Sequence, residues 1–410
     1  HATIIGMLKT IPLETPWLAC RQVDLEVDRP AANAPRVLRE LGIVRGEDEI
    51  AYRDGRRLAW GLTRVDLRAC APVGTPLKHG GIYLITGGLG GIGAALAKRL
   101  LQQYQAKLIL VGMTPLPPRA EWAAYAGREG KVAERLRVYR ELESLGGDVI
   151  YRPADVADLT ALQEVVAGAE AHWHDRLAGV FHLASAGDPA LHWQDMDRYR
   201  VSVQGVDVYD AMFRSKVYGT WAIHEFLKGR PDAISVAFSS VISLFGGATF
   251  SAYAAAQSFL NNFSLRGRAN GHPGAHCFVW SVWDEMGMSK GDPAFIREVY
   301  RSAGYCMIPE EKGIDSLIAA LARGQSDLVI GLDHGKPNVQ RLLDEALPKQ
   351  RLAAYYTGRD GATVAASGPP DLTVPDMFGV TSLCEMKRLD AMPLTGAGDV
   401  DLEALRTFNA

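Results

Sequence analysis

The stretch IYLITGGLGGIGAALAKRLL, residues 82–101, decides the fold. Its opening IYLIT reads as a buried strand. A glycine-rich turn follows, and apolar residues then recur at helical spacing. Such a turn lets backbone N–H groups approach a phosphate, and the following helix adds about half a positive charge at its N-terminus. The turn comprises Thr86, Gly87, Gly88, Leu89, Gly90, Gly91, Ile92 and Gly93. Its spacing is TGxxxGxG rather than GxGxxG. A purely structural glycine turn is the competing reading.

Outward from this stretch, short apolar runs alternate with helical patterns. The runs are 82–86, 107–111, 148–152, 178–183, 233–238, 275–280 and 327–332. Near-continuous apolar runs separated by helices imply a parallel sheet covered on both faces. The expected fold is therefore α/β, a doubly wound, seven-stranded parallel Rossmann sheet. Its ligand would sit beyond the strand C-termini, at the point where strand order reverses. Asp155, after the third run, is placed to accept the adenine amino group, with a helix N-cap as the alternative. The second run ends in LVGMTPLPPR, where selection of NADPH would call for a cation beside the 2′-phosphate. Met113 stands there, and Arg119 lies six residues on. An acid favouring NADH is also missing, so the nucleotide stays open.

The flanks read differently. Residues 1–75 carry short strands in RQVDLEV and DEIAYRDGRRLAW, a bend at Asp54-Gly55 and a helix fragment in VLRELG. They hold no cluster of His, Cys or carboxylates, and read as a structural subdomain. Residues 76–345 form the catalytic subdomain. Residues 346–410, rich in Gly, Pro and small residues at TGRDGATVAASGPPDLTVPDMFG, read as a linker. The chain has 410 residues, 48% hydrophobic and 22% charged, as in ordinary globular proteins. A net charge of −3 offers no basic surplus for nucleic acid or anionic lipid. No run approaches the roughly 20 apolar residues of a membrane span. The start lacks the pattern of a signal peptide, and His1 in place of Met reads as a piece of something longer. Five scattered cysteines argue against a metal knuckle and for reduced thiols in a cytoplasmic setting.

The chemistry is expected in FSSVISLFGGATFSAYAAAQSFLNNFS, residues 238–264. A carbonyl that receives hydride needs a proton donor and a hydrogen bond on its developing oxyanion. Tyr253 can donate the proton and Ser240 can hold the oxygen. A tyrosine is a poor acid at neutral pH unless a cation lowers its pKa. Lys216, in FRSKVYG, can supply that cation. A polar corner leading into a buried helix is the plainer alternative.

Lys216, Ser240 and Tyr253, with TGGLGGIG upstream and VWSVWDEMGMS downstream, resemble the ketoreductase domain of modular polyketide synthases, within the short-chain dehydrogenase/reductase superfamily. The 24-residue step from Lys216 to Ser240 fits that pattern, and GVFHLASAG resembles its strand-four segment. EIAYRDGRR resembles the family's truncated structural subdomain, in the form found in synthases without built-in acyltransferases (the trans-acyltransferase type). The resemblance covers about residues 15–345. It implies reduction of a β-ketoacyl thioester on an acyl carrier protein by NADPH, among neighbouring synthase domains, as in antibiotic biosynthesis. Tyr253 would give the proton, Ser240 would orient the ketone, and Lys216 would bind the nicotinamide ribose and lower the Tyr253 pKa. The cofactor would also touch Val156, Ala184, Ser185 and Tyr253. RLDAMPLTGAGDVDLEAL resembles a linker before a carrier domain and the end of an adenylation domain, with Asp399 where that domain has a lysine.

Departures from the family pattern leave an alternative, a catalytically silent domain with a structural role. YxxxN becomes YAAAQ, so Gln257 stands where an asparagine is expected, one helical turn from Tyr253. The extra methylene moves the amide by roughly 1–1.5 Å, and a shift of that size costs up to ~100-fold in rate. Ser185 and Ala186 crowd the nicotinamide side. Extra residues in PALHWQDMDRYRVSVQGVD form a surface excursion, part of the substrate wall or a partner contact. Neither the LDD signature of one product class nor the tryptophan of the other is present, since GDP (187–189) and Phe245 take their places. The missing LDD leans weakly to the L-hydroxy product. Residues 283–309 would form a lid, with Met286 and Met288 on the acyl chain or the core. His182 reads as a structural strand-end histidine.

Overall fold

The computed structural model describes residues 1–27, 29–43, 47–186, 195–269, 274–343, 352–357, 372–375, 381–389 and 393. The chain divides into two compact units, His1–Asp333 and His334–Ala410.

The first unit begins with helix α1 (Ala2–Glu14). A three-stranded sheet follows, in which β1 (Gln22–Asp24) pairs in parallel with β2 (Glu49–Arg53), and β2 pairs antiparallel with β3 (Arg56–Ala59). Asp54 and Gly55 join β2 to β3 with φ of 49° and 75°. Two left-handed residues give the tight turn whose twist suits a hairpin. Helix α2 (Pro30–Leu41) brings Glu40 into the sheet's interior, where Tyr52 Oη and Arg57 Nε each donate to it at 2.7 Å. Those donors, Arg57 foremost, lower the Glu40 pKa to about 2.

The large sheet has seven parallel strands: β4 (Ile82–Thr86), β5 (Lys107–Gly112), β6 (Val149–Pro153), β7 (Leu177–His182), β8 (Ile234–Ser240), β9 (Ala275–Trp280) and β12 (Asp327–Ile330). A two-residue parallel pair, β10 (Val282–Trp283) with β11 (Met307–Ile308), closes the base of the lid. The sheet order is β12-β9-β8-β7-β4-β5-β6. The expected doubly wound α/β fold is therefore the observed one, and strand order reverses between β4 and β7.

Alternation along β4 shows why the sheet is covered twice. Tyr83 and Ile85 enter one core with Leu96, Leu100 and Leu317. Ile82 and Leu84 enter the other with Leu162, Val166 and Phe226. The four β4 side chains are completely buried, worth about 1.5–3 kcal/mol apiece. The covering helices are α3 (Gly91–Tyr104), α4 (Lys131–Ser144), α5 (Leu159–Trp173), α6 (Val206–Phe213), α7 (Gly219–Leu227), the short α8 (Ile242–Phe245), α9 (Ser251–Ala269), α10 (Ala294–Ala303) and α11 (Glu310–Ala322). Between α6 and α7 lies one π turn, Arg214–Tyr218.

Helix α1 was not foreseen from the sequence. It lies against α9, and Ser258 Oγ donates to the Ala2 carbonyl at 2.9 Å.

The second unit holds α12 (Pro337–Gln340) and a sheet of β13 (Leu352–Thr357), β14 (Leu372–Pro375) and β15 (Thr381–Leu389), with β15 in the middle. It occupies the region read as a linker. The adenylation-like stretch at its end lies outside the described residues, apart from Leu389 and Pro393 and the residues of β15 it shares. Among the described residues, no helix is long and apolar enough to cross a membrane.

Candidate active site

The glycine turn leaves β4 at the order reversal and enters α3. Gly87 has φ +72°, and a Cβ there would stand 3.1 Å from the Ala184 nitrogen. At Gly93 a Cβ would meet the Gly87 carbonyl oxygen at 2.4 Å, so only glycine lets the helix sit this close to the turn. At Gly88 it would meet Leu110 Cδ2 at 2.7 Å. The N-cap of α3 is Gly90, so no side chain caps the helix. Its first-turn N–H groups are thus offered to an anion, together with the helix dipole. Leu89 is buried beneath the turn, and Ile92 packs against the same core. The cradle fits the pyrophosphate of a dinucleotide.

Thr86 Oγ1, completely buried, accepts from the Leu183 and Ala184 nitrogens, both at 3.1 Å. It also bonds His182 Nδ1 at 2.8 Å. This knot ties the ends of β4 and β7 together. Burial, then the nearby Lys216 charge, pushes the His182 pKa down to about 3, so the ring stays neutral and structural. Ser185, just beyond, is exposed.

At the adenosine end the outcome is mixed. Met113 follows β5 and is 69% exposed. Arg119 is engaged elsewhere: it pairs with Glu143 and lies 4.7 Å over the Trp122 ring. Asp155 is not the cap of α5; that is Asp158, which accepts from the Ala161 nitrogen at 3.0 Å. One Asp155 oxygen instead accepts from its own turn, at the Ala157 nitrogen, 2.9 Å away. The other pairs with Arg214. Val156 is buried, close enough to Gly219 that a Cβ there would touch its Cγ1 at 2.6 Å.

The candidate side chains come from three elements. The π turn carries Lys216, a wider-looped interruption of the kind often found at functional positions. Lys216 is 2% exposed and donates to the Phe238 carbonyl at 3.1 Å. Burial lowers its pKa to about 8. Ser240 ends β8, and its Oγ accepts from the Ile242 nitrogen at 3.3 Å. Tyr253 and Gln257 lie one turn apart on α9. Tyr253 is half-buried, while Gln257 is 1% exposed. Burial raises the Tyr253 pKa, and hydrogen bonds with Ser240 and Gln257 pull it the other way. The Lys216 ammonium, whose charge was expected to lower that pKa, donates to the Phe238 carbonyl. Gln257 Oε1 has no hydrogen-bond partner among the described residues.

Several residues of the site escaped sequence reasoning. In the lid, Tyr300 on α10 donates to the buried Asp292 at 3.1 Å. Its pKa is raised by burial, then by Asp292, and its hydroxyl lies within electrostatic reach of Tyr253. The lid also meets the glycine turn, since a Cβ at Gly91 would stand 3.2 Å from the Gly287 nitrogen. The extra segment is described from Asp195 onward, so GDP (187–189) falls outside. Its later part contacts the start of α9: Ser251 Oγ donates to Gln204 Oε1 and bonds Tyr209 Oη at 2.9 Å. Phe245 is buried 5.5 Å from the Tyr305 ring. No sequence signal pairs residues so far apart.

Comparison with known proteins gives this cleft a family. The model of the KR domain matches residues 81–285, half of the chain. Erythronolide synthase EryA3 of Saccharopolyspora erythraea is 30% identical over 340 residues, covering 81% of this chain. The chain spans a small part of the curated relatives it matches, 10% of EryA3. Among solved structures, A-type ketoreductases from a modular polyketide synthase are 28% identical, with TM-score 0.64, covering 80% of this chain and 64% of theirs. The adenylation, ketoreductase and pseudo-Asub multidomain structure of a keto acid-selecting NRPS module has TM-score 0.72 at 24% identity. It covers 100% of this chain, which spans 33% of it.

Proposed function

Because the chain belongs to the KR domain family, we propose that it is a working ketoreductase of a multidomain synthase, reducing a β-ketoacyl thioester on an acyl carrier protein with NADPH. One observation carries this reading: Ser240 ends β8 and Tyr253 opens α9 close enough for the two side chains to act on one another, at the sheet edge where the glycine turn opens. In this reading the segment works in the cytoplasm, beside neighbouring synthase domains. The likeness of EIAYRDGRR to subdomains of trans-acyltransferase synthases supports that type.

The bound nicotinamide would supply hydride to the ketone carbon. Gly87, Gly91 and Gly93 would let the backbone meet the pyrophosphate, with Thr86, Gly88, Leu89, Gly90 and Ile92 shaping the turn. Asp155 and Val156 would border the adenine, Met113 its ribose, and Ala184 and Ser185 the nicotinamide. Lys216 would hold the nicotinamide ribose. Ser240 would donate to the ketone oxygen, and Tyr253 would give it the proton. Gln257 would keep the Tyr253 hydroxyl aimed into the cleft. Together these steps convert C=O to CH–OH, with the hydride on carbon and the proton on oxygen.

A second reading moves the ketone to the α-carbon. It is favoured by the whole-length likeness to a module described as keto acid-selecting, which extends over the second unit. The solved A-type and A1-type ketoreductases cover 80% and 83% of the chain. One experiment treats both. The purified chain is mixed with NADPH and either a β-ketoacyl or an α-ketoacyl pantetheine thioester, and nicotinamide absorbance is followed. Consumption with the β-keto compound supports the first reading; consumption confined to the α-keto compound replaces it with the second. NADPH binding without consumption of either means a silent domain. Tyr253→Phe should lower kcat by about 10²–10⁴-fold and leave NADPH binding unchanged. A Phe variant that turns over normally refutes the proton assignment.

A further inference from the structure

The N-terminal helix lies outside the segment that matches the family, yet it reaches the catalytic helix at backbone contact. A Cβ on Gly6 would lie 2.1 Å from the Ala254 carbonyl oxygen, so glycine alone permits the approach. Ala254 and Ser258 form the face of α9 next to the one that carries Tyr253 and Gln257. Helix α1 therefore presses on the catalytic helix one residue round from its working face. Farther along, a Cβ on Gly246 would meet the Lys9 carbonyl at 2.5 Å. Lys9 itself donates to Glu49 at 3.0 Å and lies 5.4 Å over the Trp60 ring, tying α1 to the first sheet.

At the end of α1 stands Glu14. One carboxylate oxygen accepts from the Thr249 nitrogen and the other from the Val201 nitrogen, each at 2.7 Å. The two donors belong to segments 48 residues apart in the chain. Thr249 precedes Tyr253 by four residues, and its neighbour Phe250 packs edge-on against the Tyr253 ring at 6.3 Å. Val201 lies in the extra segment that also reaches Ser251 through Gln204. Thr249 has φ +68°, a left-handed conformation that is an outlier for a β-branched residue and persists only where surroundings enforce it. A carboxylate is an acceptor only, with lone pairs for both N–H groups, and charge-assisted bonds of this kind are the strong ones. An amide or a shorter acid could not serve both donors.

We propose that Glu14 is a positioning residue of the active site, fastening the Thr249 turn to the Val201 segment and so fixing the wall along which the acyl chain approaches Tyr253. The role in turnover rests on the ketoreductase reading above; the fastening itself does not. Its partner in the reaction is the tethered acyl substrate, because neither Val201 nor Thr249 borders the glycine turn.

The test uses the full chain with Glu14→Ala and Glu14→Gln. Amide hydrogen exchange, read on peptides spanning 195–204 and 246–252, should rise in both variants. NADPH affinity, read by fluorescence, should match the parent. In steady state, kcat/KM for the ketoacyl thioester should fall by about 10–100-fold, chiefly through KM, and the Gln variant should recover only part of the loss. If Glu14→Ala destabilises the fold, the Gln variant keeps the measurement, since its volume is unchanged. Unchanged exchange in the two peptides refutes the fastening, even for a chain that proves silent. Raised exchange with unchanged kcat/KM refutes the positioning role. A loss of NADPH affinity equal to the loss of kcat/KM would make the effect a general structural one and also overturn the proposal.

Discussion

The two ends of the cleft are built on different principles. The phosphate end is made of backbone: a strand, a turn and a helix start, contiguous from Ile82 to Tyr104. The reacting end is made of side chains from β8, the π turn and α9, with rims from the extra segment, the lid and α1. The first depends on the absence of side chains, the second on their identity. A backbone site tolerates changes everywhere except at its glycines. A side-chain site depends on each residue, and Gln257 is where this one is most open to test.

The sharpest way to break this contrast is at Gly93. A methyl group there meets the Gly87 carbonyl at 2.4 Å and Gly88 Cα at 2.9 Å, both backbone with nowhere to rotate. Overpacking of this kind costs about 1–3 kcal/mol, so Gly93→Ala should weaken NADPH binding by about 100-fold or lower the melting temperature. Gly168, exposed within α5, would have nothing within 4 Å of an added methyl and serves as control. Gly168→Ala should stabilise the chain by up to ~1 kcal/mol and leave binding alone. Equal NADPH affinity and equal melting temperature in the Gly93→Ala and parent chains would remove the backbone cradle.

The same contrast explains what could be read beforehand. Glycine spacing and apolar alternation are local, so the seven strands, the turn and the sheet's order reversal were legible in the sequence. Lys216, Ser240 and Tyr253 could be singled out because their order and spacing resemble a family pattern, and the structure brings the three elements that carry them to one edge of the sheet. Helix α1 was not. ATIIGMLKTIPLE carries a glycine and a proline, both poor helix formers, and its value lies in contacts with residues 249 and 254, far along the chain. Asp155 was read as an adenine acceptor or a cap, but its pairing with Arg214 spans 59 positions. Nothing in sequence order marks Asp292 and Tyr300 as neighbours of Tyr253.

Lys216 offers an intermediate effect. Its pKa falls from 10.5 to about 8 because burial removes its water. Below about pH 8 both folded and unfolded chains are protonated there, and the folded state carries the full cost of a buried cation. Between about 8 and 10.5 the unfolded chain holds more protons at this position, so stability rises with pH across that window. Lys216→Met should therefore raise the melting temperature at pH 7 by a few degrees, and the gain should shrink as pH rises from 8 to 10.5. Taking the difference between variant and parent cancels the other groups that titrate there. A variant no more stable than the parent at pH 7 would mean that the Phe238 carbonyl fully compensates the buried charge. The same substitution should weaken NADPH binding, placing function and stability in opposition at one residue.

Gln257 gives the smallest effect and the most informative one. Its amide is buried one helical turn from Tyr253, whose pKa it helps hold down, and leaves Oε1 without a partner among the described residues. A buried unsatisfied acceptor costs about 1–3 kcal/mol, so a residue kept only for packing would be better apolar. Gln257→Leu, of similar shape, should raise the melting temperature and lower kcat several-fold, because Tyr253 loses one of the two polar neighbours that oppose the rise of its pKa. Gln257→Asn keeps an amide but withdraws it by roughly 1–1.5 Å, and should fall between parent and Leu in turnover. Rates measured across pH separate the causes: loss of the amide raises the Tyr253 pKa and moves the alkaline limb of kcat upward. Should Asn instead increase turnover, Gln257 is the lesion of a fading enzyme, and the reacting end has drifted past use while the phosphate end keeps its form.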